Sequence, residues 1–517
     1  MLRSGRLPTF CPITPPIHCR FLDPLSIDVD RSEELSRRFL DNFRDLAANS
    51  RDQFLPTPIS ESILRPIAEQ GGGRHLAIDI GGTNLRVGFV ELHGDDQDPA
   101  SRVQRPLERS WPIDNHLKND HANSLFSWIG RCIADVVDEG CKTFDIPSNV
   151  PLPLGVTFSF PMEQRSVSHA LLMDMGKGFA LPSGIDLGAY IERGYADSGR
   201  AELPPIKVTA IANDAVSTLV SCIFSYGGTA HRRAAMALIL GTGSNATVPL
   251  KLDLLHPSKR PQTVSLLPGE EVADAKIAVN TEWSIKGTLP PMAEVNLVTK
   301  WDDVLSLQNE RPGFQPLEYM TAGRYLGELA RIILVDYLVN ESKVAVETLP
   351  KKLLEKESLS TTFLSHYKPL QPPSTLLEKL RRQIPEDADS SFAWTEDLAV
   401  ALYHIAKAIE VRASGIIAAA IVALLTLADE LPEDANAGAD TSSPIRELGV
   451  GYTGGCIVHF QDYLADCQQF LDELLARRFG DNGRLRVVLS PCHDGGVTGA
   501  GILVVAEASS SRKKSEA

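Results

Sequence analysis

The sequence is poor in the features that mark metal-binding, disulfide-rich and nucleic-acid-binding proteins. Its eight cysteines form no CxxC pair, and its twelve histidines include no HExxH motif, which argues against a zinc site and a disulfide framework. Lys and Arg number 51 against 66 acidic residues, which gives a formal charge of −15. Because so acidic a chain repels phosphate backbones and anionic lipid, we expect no nucleic-acid or membrane-surface partner.

Long apolar runs are also lacking. The uncharged stretch from Ala413 to Ala428 is too short to cross ~30 Å of hydrocarbon, which needs about 20 residues, so no transmembrane segment is expected. Residues 1–27 are basic and rich in proline, which predicts an irregular N-terminal arm, and residues 509–517 are expected to form a disordered tail. We expect a cytoplasmic protein, with association to mitochondria through the basic arm as the alternative.

The order of strand-like and helix-like segments predicts an α/β protein of two lobes. Two apolar runs flank a glycine-rich turn near residue 82, and the same strand–turn–strand pattern recurs near residue 242. Helical periodicity follows each of these predicted hairpins, and a long apolar helix is predicted over residues 396–428, broken near Ser414-Gly415. Residues 345–395 are charged and interrupted by proline, which suggests a surface insertion or a connector.

The two glycine-rich turns are candidate phosphate sites. They read Gly81-Gly82-Thr83-Asn84 and Gly241-Thr242-Gly243-Ser244-Asn245. Glycine lets backbone N–H groups approach a phosphate closely, and threonine adds a hydroxyl donor. Asp79, at the end of the strand before the first turn, could hold a hydrated Mg²⁺ against nucleotide phosphates. The alternatives are ordinary turns between strands and an aspartate that caps a turn.

With these turns in place, the sequence resembles the hexokinase family of the eukaryotic, fungal type. Six segments carry the resemblance in order along the chain. They are LAIDIGGTNLRV, LGVTFSFP, IANDAVSTLV, LILGTGSNA, NTEW and PGFQPLEYMTAGRYLGEL. The resemblance implies two unequal α/β lobes of the actin-like sugar kinase superfamily, with the active site in the cleft between them. It assigns residues 28–220 to a small lobe and 221–508 to a large lobe, whose last segment returns to the small lobe.

The resemblance also implies ATP-dependent phosphorylation of a hexose such as glucose at its 6-hydroxyl. Asp214 would be the general base, because phosphoryl transfer to an alcohol needs a carboxylate facing the hydroxyl, and Lys177 would assist. The residues implied to bind the sugar are Ser159, Asn213, Asn245, Glu282 and Glu318. Those implied to surround the nucleotide are Asp79, Gly81, Gly82, Thr83, Asn84, Arg86, Gly241, Thr242, Gly243, Thr453 and Gly454. Mg²⁺ would be held mainly by the nucleotide phosphates, with Asp79 contributing through water.

Each of these assignments has a simpler alternative. Asn213 and Asp214 could cap the helix that follows them, Glu282 could be a surface acid, and Lys177 could be an ordinary exposed lysine. A different actin-like ATPase is disfavoured, because it would lack the NTEW and LGVTFSFP segments.

Several positions depart from the family pattern on the nucleotide side. Gly176 replaces a threonine, Thr453-Gly454-Gly455 replaces Asp-Gly-Ser, and Gly496 replaces a serine. One lost neutral hydrogen bond costs about 0.5–1.5 kcal/mol, so several together could weaken nucleotide binding or turnover substantially. Two interpretations remain open. The chain is either a hexokinase with reduced activity or a catalytically weak regulatory protein that senses sugar.

Overall fold

The structure is a computed structural model. It describes residues 17–64, 72–93, 101–114, 116–117, 122–173, 181–226, 231–266, 269–285, 287–368, 373–433, 445–480 and 485–516. The strands, numbered in chain order, are β1 Leu55–Ser60, β2 Gly73–Ile80, β3 Asn84–Leu92, β4 Val103–Pro112, β5 Leu152–Phe158, β6 Met162–Ser166, β7 His169–Leu172, β8 Ile206–Ala212, β9 Arg232–Leu240, β10 Ser244–Lys251, β11 Lys276–Asn280, β12 Glu447–Thr453 and β13 Arg486–Pro491.

The helices are numbered in the same way, without the short 3-10 and π turns. They are α1 Ile17–Leu22, α2 Val29–Asn49, α3 Ala122–Phe144, α4 Leu187–Ala196, α5 Asp214–Tyr226, α6 Leu289–Glu294, α7 Lys300–Gln308, α8 Pro316–Thr321, α9 Gly323–Asp336, α10 Lys351–Leu354, α11 Thr361–Ser365, α12 Pro373–Gln383, α13 Glu396–Leu427, α14 Gly455–His459, α15 Tyr463–Phe479 and α16 Gly495–Glu516.

Two mixed sheets organise the chain, and the α/β fold class is confirmed. The first has five strands in the order β4-β3-β2-β5-β8, and the second has six in the order β1-β11-β10-β9-β12-β13. Strand β2 pairs with β3, and β9 with β10, in the antiparallel sense, so both predicted hairpins are present. The sheet interiors are parallel, since β5 joins β2 to β8 and β12 joins β9 to β13. The sequence pattern therefore placed both glycine turns correctly.

Two helices join the sheets. Helix α5 leaves the end of β8 in the five-stranded sheet and packs against β9 and β12 of the six-stranded sheet. Helix α16 follows β13 of the six-stranded sheet and packs back onto β2 and β5, with α5 at its side. Gly155 makes this packing close, because a Cβ there would lie 2.1 Å from the Ala500 carbonyl oxygen. Below, the five-stranded sheet with α3 and α4 is the small body, and the six-stranded sheet with its helices is the large body.

Residues 28–60 lie in the large body, so the predicted start of the small lobe at residue 28 is wrong. Strand β1 pairs with β11 at the edge of the six-stranded sheet. Helix α2 buries Leu35, Phe39 and Phe43 in the large core and packs on α13. The apolar face of α2 is evident from its helical spacing, but spacing shows only that a face is buried and not what covers it.

Both predicted irregular termini contain regular structure. Residues 17–22 form helix α1 rather than an irregular arm, and Leu22 and Leu25 are buried in the large core. At the other end, α16 runs to Glu516, which corrects the predicted disordered tail. Ala, Arg, Lys and Glu are good helix formers, so a helix that is already packed over residues 495–506 extends into the polar segment at little cost.

Helix α13 is continuous, so the predicted break near Ser414-Gly415 is wrong. Gly415 serves packing instead, because a Cβ there would lie 2.7 Å from Ile27 and 3.0 Å from the Ser32 hydroxyl. The helix is long and apolar enough to cross a membrane by length and composition, but most of its apolar window is buried inside the structure. The core helix of a soluble protein meets the same test.

The segment predicted as a surface insertion, residues 345–395, contributes to the core. It contains the short helices α10, α11 and α12. Tyr367, Leu380 and Trp394 are fully or almost fully buried in it. Prolines mark its turns correctly, but its buried side chains are too widely spaced for the sequence to show a periodic pattern.

Candidate active site

A cleft of about 580 Å³ lies between the small and large bodies. Both bodies contribute residues that the sequence predicts to bind substrates. The small body supplies Gly82, Thr83, Ser159, Asn213 and Asp214, and the large body supplies Thr242, Gly243, Asn245, Glu282 and Glu318. The fold thus gathers predicted sugar and phosphate residues from six sequence segments into one cavity.

The carboxylate of Glu282 is held by a small amide network. Its Oε1 accepts hydrogen bonds from the Asn280 Nδ2 at 2.9 Å and from the Asn245 Nδ2 at 3.2 Å. The Glu282 backbone N–H in turn donates to the Asn245 Oδ1 at 3.1 Å. Glu282 is only 9% exposed and has a positive φ of 45°. It is therefore not a surface acid, and its orientation is fixed before any ligand binds.

Glu318 enters the cleft from helix α8 and contacts the second glycine turn. Its Oε2 accepts the Ser244 backbone N–H at 3.0 Å, and the residue is 4% exposed. Gly243 leaves room for this carboxylate, since a Cβ there would lie 2.7 Å from Oε2. The Trp283 Nε1 donates to the Ser244 hydroxyl at 3.1 Å and so fastens the NTEW segment to the same turn.

Asp214 is the first residue of α5, where β8 ends. The backbone N–H of Ala215 donates to the Asp214 Oδ1 at 2.8 Å and to the Asn213 Oδ1 at 2.9 Å. The capping interpretation is thus correct, and Asp214 lines the cleft as well. The positive end of the helix dipole favours a carboxylate at this position. The capping hydrogen bond orients the Asp214 carboxylate towards the cleft, and a carboxylate that caps a helix can still accept a proton.

Asp79 is the penultimate residue of strand β2 in the small body. Burial, together with the negative charge of Asp214, raises the pKa of Asp79 to about 7, and Arg86 opposes this shift from 4.0 Å. Gly496 faces the carboxylate, and a Cβ there would lie 2.6 Å from the Asp79 Oδ2. An added serine side chain at residue 496 would therefore crowd Asp79.

These surroundings fit a Mg²⁺ ion that keeps most of its ligands from elsewhere. A carboxylate whose ionisation is costly gains from a nearby divalent cation, and Mg²⁺ prefers oxygen ligands. Within the ranges that the structure describes, no group of three or more His, Cys, Asp or Glu side chains could form a metal cage. The Asp79 carboxylate therefore fits its predicted role of contacting a hydrated Mg²⁺ through water.

The remaining predicted phosphate residues of the small body flank the first turn. The Asn84 Nδ2 donates to the Thr83 hydroxyl at 3.1 Å. The guanidinium of Arg86 pairs with Asp494 at 3.2 Å, and Arg105 pairs with the other oxygen of Asp494 at 2.8 Å. These contacts tie the first hairpin to the segment that leads into α16.

The second turn is packed by other backbone segments. Gly241 accepts the Gly323 N–H at 2.8 Å through its carbonyl, and the Thr242 carbonyl accepts the Arg324 N–H at 3.1 Å. Thr453 and Gly454 lie behind this turn, where β12 runs parallel to β9. Gly454 has a φ of +124°, and a Cβ there would overlap the Leu240 carbonyl. Packing against the Leu240 carbonyl therefore requires glycine at position 454, whether or not this segment contacts a nucleotide.

Some cleft residues escape the sequence prediction, and one predicted residue lies outside the described part of the chain. Arg324, Gln315, Phe314 and Ile285 line the cleft. Three of them fall within the quoted segment PGFQPLEYMTAGRYLGEL, but sequence alone does not show which of its side chains face the cavity. Lys177 lies outside the described residues, so its predicted role stays a prediction.

Comparison with known families covers nearly the whole described chain. One hexokinase family model matches residues 18–224, and a second hexokinase family model matches residues 235–506. A Schistosoma mansoni hexokinase is 32% identical over 319 residues, which cover 61% of this chain and 62% of the relative. A rice protein, hexokinase-5, is 28% identical over 442 residues, or 83% of this chain and 78% of the relative.

Solved structures show the same fold. The structure of the Schistosoma mansoni hexokinase complexed with glucose superposes with a TM-score of 0.72 at 23% identity, covering 95% of this chain and 98% of that one. A second hexokinase crystal structure superposes with a TM-score of 0.71 at 22% identity, with the same coverage. The two-bodied, actin-like architecture is thereby confirmed.

Proposed function

Because the chain belongs to the hexokinase family of hexose phosphotransferases, we propose that it transfers the terminal phosphoryl group of ATP to the 6-hydroxyl of a hexose such as glucose. The observation that carries the proposal is the position of Asp214. Its carboxylate shares one cleft with two buried, preoriented glutamates and with two glycine turns. A proton acceptor, sugar-binding groups and phosphate-binding backbone are the parts that such a transfer requires.

In this mechanism the large body holds the sugar. Glu282 and Glu318 accept hydrogen bonds from ring hydroxyls, and Asn245 adds an amide beside Glu282. Their fixed positions lower the entropic cost of aligning the 6-hydroxyl with the phosphate. Ser159 and Asn213 contact the sugar from the small body.

The chemical step is an in-line displacement. The 6-oxygen forms a bond to the terminal phosphorus while the bond from that phosphorus to the bridging oxygen breaks, and ADP leaves. Asp214 accepts the proton of the 6-hydroxyl. The turn residues Thr83 and Thr242 contact the phosphates from opposite sides, and Arg324 adds a positive charge on the large-body side. Mg²⁺, when bound with the nucleotide, offsets the phosphate charge.

A second candidate is a sugar-binding regulator with little turnover. It is favoured by the segment Thr453-Gly454-Gly455, in which Thr453 and Gly455 replace the family's aspartate and serine and Gly454 packs tightly behind the second turn. We expect an elevated KM for ATP with measurable turnover, which is the result of losing ground-state nucleotide contacts. Absence of phosphorylation at millimolar Mg-ATP, with glucose still bound, would establish the regulator instead.

The decisive experiment combines a coupled kinase assay with glucose binding followed by Trp283 fluorescence. The substitution Asp214→Asn keeps the shape and the Ala215 contact but removes the proton acceptor, so kcat should fall about 10²- to 10⁴-fold while glucose binding changes little. Asp303→Asn is the matched control, because Asp303 is an exposed acid on α7 outside the cleft. A variant at 214 that retains more than a tenth of the wild-type kcat would refute Asp214 as the base.

A further inference from the structure

Glu282 has a backbone conformation that is unusual for a residue with a side chain. Its φ of 45° lies in the left-handed region, which a residue with a Cβ rarely adopts. Such a conformation persists only where the surrounding structure fixes it. Because the backbone at residue 282 sets the direction of the Cα–Cβ bond, a return to an ordinary conformation would turn the carboxylate away from Asn245 and Asn280. The groups that fix this backbone therefore help to form the sugar site.

One of these groups is Gln53, which lies between helix α2 and strand β1. Its Nε2 donates a hydrogen bond to the Glu282 carbonyl at 3.0 Å, and the residue is only 2% exposed. The same carbonyl accepts the backbone N–H of Ile285 at 3.1 Å. Gln53 does not line the cleft, so it can influence a bound sugar only through Glu282.

The segment that carries Gln53 is itself fastened to the segment that carries Glu282. The Phe54 N–H donates to the Thr281 carbonyl at 2.8 Å, and Phe54 also has a left-handed backbone, with a φ of 53°. The Lys259 Nζ donates to the Gln53 carbonyl at 3.0 Å. Because these contacts fix the backbone at residues 53 and 54, the Gln53 amide reaches the Glu282 carbonyl with little conformational entropy left to lose.

On the basis of the proposed function, in which Glu282 binds the sugar, we propose that Gln53 is a positioning residue of the sugar site. Its hydrogen bond holds the Glu282 backbone in the left-handed conformation and thereby keeps the carboxylate where a ring hydroxyl meets it. Asn245 and Asn280 hold the end of the glutamate side chain, whereas Gln53 holds the backbone from which it extends. Glu282 contacts the sugar both before and during phosphoryl transfer, so loss of the Gln53 hydrogen bond weakens binding and leaves the chemical step at Asp214 unchanged.

The first test compares glucose binding, by calorimetry without nucleotide, in the wild type and in Gln53→Met. Methionine keeps the length of the side chain but cannot donate to the carbonyl, so the dissociation constant for glucose should rise about tenfold. At saturating glucose and Mg-ATP, kcat should change less than about threefold, so that the loss appears in KM. An unchanged dissociation constant would overturn the proposal, and so would a fall in kcat with an unchanged KM for glucose.

Gln461→Met is the matched control. Gln461 is also buried and does not line the cleft, and its Nε2 donates to the carbonyls of Leu364 and Tyr367 at 2.7 and 3.2 Å. Both substitutions should lower the thermal unfolding midpoint, but only Gln53→Met should weaken glucose binding. An equal loss of glucose affinity in the two variants would overturn the specific role of Gln53. Gln53→Asn, whose amide is one methylene too short to reach residue 282, repeats the test if Gln53→Met does not fold.

Hydrogen exchange tests the backbone directly and without a sugar. In Gln53→Met the amides of Glu282 and Ile285 should exchange severalfold faster than in the wild type, because their turn opens more often, whereas Gln461→Met should leave both rates unchanged. Faster exchange in a protein that binds no glucose would support the positioning role and contradict the proposed function. Unchanged exchange in a protein that phosphorylates glucose would do the reverse.

Discussion

The two glycine turns look alike in sequence but differ in how the rest of the molecule supports them. In the second turn a Cβ added to Gly243 would lie against the Glu318 carboxylate. The Gly241 carbonyl accepts the Gly323 backbone N–H, and the Thr242 carbonyl accepts the Arg324 backbone N–H. In the first turn nothing lies within 4 Å of a Cβ added to Gly82, and Thr83 and Asn84 are exposed. The second turn is packed into the large body. The first turn is tied to the small body by the hydrogen bond from the Ile113 N–H to the Thr83 carbonyl at 2.8 Å, and Gly82 at its tip faces open space.

This difference indicates that the two turns do different work. The second turn is already ordered before a ligand binds. Positioning Glu282, Glu318 and a phosphate beside it therefore carries no further cost in conformational entropy. The first turn has room to move, and a ligand that contacts both bodies would order it. We therefore expect a sugar and a nucleotide bound between the bodies to favour a closed arrangement, because only that arrangement would make both sets of contacts.

Exchanging glycine for alanine in each turn gives the sharpest test of the comparison. Gly243→Ala should displace the Glu318 carboxylate and break its bond to the Ser244 N–H, weakening glucose binding about tenfold to a hundredfold. Gly82→Ala, at which no atom crowds the new methyl group, should change glucose affinity less than threefold. Calorimetric titration with glucose measures both.

Gly243→Ala is also expected to lower the thermal unfolding midpoint, because a buried carboxylate that loses a hydrogen bond destabilises the native state. Glucose affinity is therefore measured well below the unfolding midpoints of both variants. If both variants bind glucose as the wild type does, the second turn is not the preorganised element described above.

Hydrogen exchange tests the same contrast without mutation. In the free protein, amides of residues 81–84 should exchange severalfold faster than those of 241–245, because open turns sample unprotected states more often. Glucose with a non-hydrolysable ATP analogue should slow exchange mainly at 81–84 and reduce the radius of gyration in solution scattering. Equal protection of both turns in the free protein would remove the distinction.

The features of this molecule that can be predicted from its sequence are those that residues close together in the chain determine. The hairpins around residues 82 and 242 follow from apolar runs that flank glycine turns, and the resemblance selected Glu282 and Glu318 without any geometry. Long-range pairing was beyond such patterns. Nothing in residues 28–60 shows that β1 completes the six-stranded sheet, since edge pairing depends on β11, more than 200 residues away.

Glycine shows the same limit within the site. Gly81, Gly82, Gly243 and Gly454 all suggested phosphate binding, yet Gly454 is required by the Leu240 carbonyl and Gly243 by the Glu318 carboxylate. Sequence shows that a Cβ is absent but not which neighbour excludes it. The cleft residues Ile285 and Phe314 were missed for a related reason, because an apolar residue in a loop carries no signal of the cavity it faces.

The last expected effect is on stability rather than on ligand binding, and it concerns Asp79, which precedes the first turn by two residues. Its pKa is raised from an ordinary 3.8 to about 7 by burial and by the charge of Asp214. Between these pH values the unfolded chain loses this proton before the folded one does, so Asp79 lowers the stability of the fold progressively as pH rises from about 4 to 7.

The substitution Asp79→Asn removes that titration. Its free energy of unfolding relative to the wild type should be lowest near pH 4, should increase towards pH 7 by up to about 4 kcal/mol, and should then level off. Urea unfolding at pH 4.5, 6 and 8 measures this, with Asp303→Asn, a substitution at an exposed acid outside the cleft, as the control. Adding Mg-ATP should reduce the effect, because a cation near Asp79 favours its ionised form. A difference in unfolding free energy that is constant with pH would mean that Asp79 ionises as it does in the unfolded chain. The surroundings of Asp79 would then be as accessible to water as the first glycine turn.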